Sequence, residues 1–207
     1  TICITATRIF DYQQKFWGKR YLAKPYQSIK GYGYIADLGL VAYYKVNDIF
    51  DFDFTVMNGE GYSNIQLDNS LRTAFGITAV TPQRLYFKIY SDFMKPEKVL
   101  QSAFICFAGI KRDLFKFGGE ASFKTNADKT ANHNVWGLAA TGGINVSEKT
   151  ELFARYDYFT SYIEGGNTVN WNQYDGRISI YGVQYAFTPT LKIALNYQGY
   201  YPENKTM

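Results

Sequence analysis

Residue types able to do chemistry are thinly spread in this chain. Asp51 and Asp53 are carboxylates two positions apart, a spacing open to acid/base work or to a cation. His133 is the single histidine, so a Ser-His-Asp triad would have to form around it, and a metal cluster has no second imidazole. Cys3 and Cys106 are too few for a disulfide framework or a zinc site, and read as buried or lipid-facing thiols. Asn58-Gly59-Glu60-Gly61 lacks the basic residue and helix of a phosphate loop and reads as a turn. Asp68-Asn69 beside Glu60 is a weak calcium candidate. No catalytic constellation emerges, so the expectation is no enzyme, no cofactor and no resident metal. His133, between Asn132 and Asn134, is expected to be a solvated loop residue.

The elements that carry these residues read as strands. In Phe50-Asp51-Phe52-Asp53-Phe54-Thr55-Val56 successive side chains point to opposite faces, so the aromatics share one face and the carboxylates the other. The alternation recurs along the chain, at 71–79, 85–90, 115–124, 152–158 and 191–198 among others. About eleven such segments of roughly 9 to 13 residues follow one another, the length a tilted strand needs to cross a bilayer. Ordinary soluble strands average about 5 to 6 residues.

Tight turns at 46–48, 81–83, 111–113, 146–149 and 188–190 alternate with longer polar connections at 58–69, 95–101, 125–134 and 160–176. That rhythm is expected of an outer-membrane barrel with its tight turns periplasmic. Asp11, with Gln14 three residues on, begins a candidate loop helix over 11–24 that Pro25 ends, placed over the barrel mouth or in its lumen. Tyr and Phe gather near strand ends (Tyr43, Tyr44, Tyr62, Tyr90, Phe93, Tyr156, Tyr158, Phe159, Tyr185, Phe187, Tyr197, Tyr200 and Tyr201), as interfacial girdles do.

Composition agrees. Aromatics are 18% of residues and hydrophobics 46%, yet mean hydropathy is −0.26, so apolar residues are interleaved with polar ones. No window approaches the apolar run of a membrane helix. A net charge of +4, scattered without a basic stripe, gives no case for nucleic acid. The chain opens like a strand cut in its middle and closes on polar residues 202–207, so it is expected to be a mature, truncated or fragmentary form with strands missing.

Taken in order, Phe16-Trp17-Gly18-Lys19-Arg20-Tyr21, Ala36-Asp37-Leu38-Gly39-Leu40, Asn58-Gly59-Glu60-Gly61-Tyr62, Ala154-Arg155-Tyr156-Asp157, Gly182-Val183-Gln184-Tyr185 and Leu195-Asn196-Tyr197-Gln198-Gly199 resemble porin-type outer-membrane barrels of the Bacteroidota. More distantly they resemble phosphate-selective porins. The resemblance implies passive passage of small solutes, but not phosphate selectivity, which rests on a dense ladder of lumenal cations. Here the expected pore-lining face mixes signs: Arg72, Lys88, Lys116, Lys124, Arg155 and Lys192 with Asp37, Asp51, Asp53, Asp92, Glu120 and Asp157.

The resulting expectation is an all-β, antiparallel up-and-down transmembrane β-barrel, incomplete at about eleven strands, in a bacterial outer membrane. It would pass small polar solutes or ions through a water-filled lumen, with outer-membrane lipid as its surroundings, no nucleic-acid partner and self-association left open. The alternative is a non-conducting barrel that anchors or recognises through long loops, above all 160–176 with Tyr162, Trp171 and Tyr174.

Overall fold

A computed structural model of the chain describes residues 2–6, 8–29, 32–34, 36–61, 69–163 and 175–203. Its strands are β1 (Ile2–Ala6), β2 (Ala36–Lys45), β3 (Phe50–Met57), β4 (Arg72–Val80), β5 (Leu85–Met94) and β6 (Gln101–Lys111). They continue as β7 (Phe115–Thr125), β8 (His133–Asn145), β9 (Thr150–Ile163), β10 (Gly176–Ala186) and β11 (Lys192–Pro202). Two helices, α1 (Arg8–Trp17) and α2 (Tyr26–Ile29), lie between β1 and β2. All eleven strands form one sheet in sequence order, each antiparallel to the next. Among the described residues β1 and β11 do not pair, so the sheet has two ends. No described helix is long and apolar enough to cross a membrane.

Strand lengths run from 5 residues in β1 to 14 in β9, a wider spread than the sequence rhythm gives. The tight turns are built by side chains that take up backbone donors. Asn47 Oδ1 accepts from the N–H of Ile49 and Phe50, each at 2.8 Å, and Ser147 Oγ from Thr150 N–H at 3.1 Å.

The candidate helix over 11–24 is revised. α1 begins at Arg8 and stops at Trp17, because Gly18 takes φ +69° and returns its N–H to Gln14 O at 2.9 Å. Asp11 is therefore inside the first turn, where it accepts from Arg8 and Lys15 instead of capping. Pro25 opens α2 and does not end a helix, since its carbonyl accepts from Ser28 and Ile29.

One segment fixes the curvature of the sheet. Arg8 lies over the Tyr43 ring on β2, Tyr12 meets Tyr86 on β5 and Phe107 on β6, and Trp17 packs on Phe153 of β9. Tyr21 reaches Gln184 on β10, and Leu22 O accepts from Gln198 on β11. A segment this short touches strands from β2 to β11 only if the sheet wraps around it. The strands permit this because small residues face inward at the contacts. A Cβ on Gly137 would stand 2.7 Å from Tyr26, and one on Gly118 2.7 Å from Phe16. Bulky Phe117, Trp136 and Leu138 face outward on the same strands.

The two faces have opposite polarity. Outward on the sheet lie Phe52, Phe54, Phe75, Ile77, Ile89, Phe104, Phe117, Leu138, Leu152 and Leu195, all exposed. In water so broad an apolar surface would drive association. Tyr44, Phe93, Tyr156, Tyr158, Tyr185, Tyr197 and Tyr201 also face outward. Tyr43, Tyr90, Phe159 and Tyr200, expected with them, instead point inward, and Tyr90 and Phe159 are fully buried. Parity within the strand decides this, and nearness to its end does not. Tyr62 lies outside the described residues.

Candidate functional site

All twelve expected lining residues fall on strand positions that face inward, by the registers of neighbouring strands. The expectation that they stand in open water is corrected for most of them. Asp37, Asp53, Arg72, Lys88, Asp92, Lys124, Arg155 and Asp157 are buried. A buried charge is costly unless it is paired, and the partners here come from neighbouring strands, from the same strand and from a turn. Lys88 on β5 donates to Asp53 on β3 over Gly76, which has no side chain to block the approach. Arg72 on β4 meets Asp92 on β5 at 2.7 Å, and Tyr90 donates to the same carboxylate at 3.0 Å. Arg155 grips Asp157 with two nitrogens, at 2.9 and 2.6 Å. Asp37 accepts from the N–H groups of Gly59 at 2.6 Å and Gly61 at 3.3 Å, which fixes the 58–61 turn.

The remaining lining residues are less enclosed. Lys192, at the start of β11, is exposed and has no ion-pair partner among the described residues. Asp51 is half-buried beside Tyr43. Glu120 is flanked by Gln27 and Gln13 and borders a cavity of about 30 Å³ between the α1 segment and β7–β9, room for about one water molecule.

The inner face is covered by the described residues of the 8–34 segment, an insert held at several points. Lys19 Nζ lies 2.7 Å from Glu151, which also meets Lys116 at 3.1 Å. Lys116 and Arg155 donate to the backbone carbonyls of Trp17 (3.2 Å) and Lys24 (2.8 Å), and Lys124 to that of Tyr32 (3.1 Å). Tyr26 hydroxyl bonds Ser122 on β7. Wall cations thus face carbonyls of the insert as well as wall carboxylates. Burial lowers the Lys19 pKa to about 8 despite Glu151, and raises those of Tyr26 and Tyr32.

No family model, curated protein or solved structure matches this chain. Sequence reading placed most wall charges but missed Glu151 on the wall and the insert residues that dock there, Lys19, Tyr26 and Tyr32. Inward glycines on consecutive strands, Gly109, Gly118 and Gly137, are the sequence signal that something is received there.

His133 is also corrected. It is 1% exposed, the first residue of β8, with Nδ1 3.2 Å from Ala127 O. The 127–129 turn folds back over it, which its Asn neighbours did not foretell. Among the described residues no group of three or more His, Cys, Asp or Glu could hold a metal. Glu60 contacts Lys129 at 3.5 Å, while Asp68, Trp171, Tyr174 and the side chain of Cys3 lie outside the described residues. Cys106 is a free, outward and exposed thiol.

Proposed function

We propose that the chain is the wall of a bacterial outer-membrane barrel that passes small polar solutes, with the 8–34 insert as the constriction of its lumen. The observation that carries this reading is the inverted polarity of the sheet. Aromatic and aliphatic side chains are exposed on the convex face, while nearly all strand charges collect on the concave one. Lipid is the solvent in which that outer surface is favourable, and closed antiparallel sheets are the β-structures that cross it. Most of the strands have the length such a crossing needs. The interleaved cations and anions of the inner face favour polar solutes without a strong preference for anions.

The filled concave face supports a second reading, a non-conducting barrel whose inner segment seals it. Planar-bilayer recordings of the full-length protein separate the two. Stepwise conductance is expected, rising when Lys19→Met and Glu151→Gln together loosen the insert. Silence from both forms, with insertion verified by protease protection, would exclude the channel and leave the anchor.

A further inference from the structure

The outward positions of β2–β11 carry one charged residue among those described, Arg177. Every other charged strand residue there faces inward. Arg177 is exposed and has no ion-pair or hydrogen-bond partner among the described residues. At the end of a lipid-facing strand the bilayer penalty on a guanidinium is small, and its charge is open to an anionic headgroup.

Its surroundings are also unlike the rest of that face. Arg177 is the second residue of β10, at the end of the sheet that bears the long connections. In register it is flanked by Tyr158 on β9 and Tyr201 on β11. One step further in, Ser179 sits between Tyr156 and Gly199, over which the Tyr201 ring folds. Arg177, Ser179, Tyr156, Tyr158, Tyr201 and Glu203 line an outward cleft of about 500 Å³. Glu203 accepts weakly from Tyr158 at 3.5 Å and forms no ion pair with Arg177.

We propose that this cleft binds the phosphorylated sugar headgroup of a glycolipid in the membrane leaflet around the long-connection end of the barrel. Arg177 holds the phosphate, for which a planar guanidinium offers paired donors. The Tyr158 and Tyr201 rings meet the sugar faces, and Ser179 and Glu203 take its hydroxyls. The cation calls for an anion, and the adjoining acid with three tyrosines calls for hydroxyls and ring faces. A phosphosugar joined to acyl chains supplies all of these at the depth where the apolar face ends. The inference rests on the lipid-facing reading of the sheet.

The test uses full-length, delipidated protein in detergent, titrated with lipid A and read by native mass spectrometry, after insertion of the same preparation into liposomes is verified. Arg177→Gln, an exposed change, is expected to weaken lipid A binding about tenfold, about 1.4 kcal/mol. Lipid A stripped of its phosphates should lose a similar factor on the wild type and nothing more on the variant. Lys192→Gln, an inward cation, should bind as wild type does. Equal retention by Arg177→Gln and wild type would overturn the proposal, as would inorganic phosphate competing at concentrations equal to those of lipid A, which marks a free-anion site. Self-association lost with Arg177→Gln would assign the cleft to a second copy and overturn it too. Failure of the wild type to insert into liposomes would remove the lipid-facing reading itself, an outcome distinct from insertion without lipid A retention.

Discussion

Phe16 lies over Gly118, its Cε1 only 2.7 Å from where a Cβ on that glycine would stand. Gly109 pairs with Gly118 in register on β6, and a Cβ there would meet Phe16 Cζ at 2.8 Å. Two strand glycines side by side weaken a sheet unless their emptiness is used. Here it seats the ring that anchors α1, with Phe107 edge-on at 5.0 Å between centroids. Gly118→Ala should destabilise the fold by about 1–3 kcal/mol through overpacking. In the Phe16→Ala background the same change should cost much less. Denaturation midpoints of the four proteins in detergent give the coupling, and additive costs would contradict this docking.

The Asp53–Lys88 pair bridges β3 and β5 over β4. Asp53→Asn leaves a buried ammonium uncompensated and should cost about 3–5 kcal/mol. Asp53→Asn combined with Lys88→Met should recover most of that loss. Urea unfolding in micelles measures both, and a double variant as unstable as Asp53→Asn would contradict the pairing.

Lys19 gives the insert a pH dependence. Its pKa is lowered by burial to about 8 from 10.5. Below about 8 it is charged whether or not the insert is docked, so docking bears the full desolvation cost. Above 10.5 it is neutral in both states and the cost is gone. Docking is therefore expected to strengthen as pH rises through that window. Tyr26 and Tyr32 act in the opposite sense above their ordinary value of 10.0, since burial holds them neutral only while docked. The carbon resonance next to Lys19 Nζ should titrate near pH 8, and a midpoint near 10.5 would contradict its burial.

Much of this architecture was legible because its strands have period two. Phe50 to Val56 fixes both faces of β3 by type alone, and the same parity put Arg72, Lys88 and Arg155 on one side. Which charges meet was not legible. Asp53 and Lys88 are partners only through the β3–β4–β5 registers, which no single strand's pattern encodes. Lys19 and Tyr26 could not be linked to Glu151 and Ser122, since contacts across about a hundred residues leave no local periodicity. The 11–24 helix erred at Gly18, where one left-handed residue ends α1 well before Pro25.

The central claim is that adjacent residues on one strand face lipid and a filled lumen. Ile77, on β4, is 40% exposed outward, and its neighbour Thr78 is 8% exposed inward. Cysteines placed at 77 and at 78 in turn, with Cys3 and Cys106 changed to Ser, can be spin-labelled in full-length protein folded into liposomes. Relaxation by dissolved oxygen, which concentrates in lipid, should be strong at 77 and weak at 78. Equal relaxation at both positions, or stronger relaxation of 77 by a water-soluble nickel complex than by oxygen, would contradict the account.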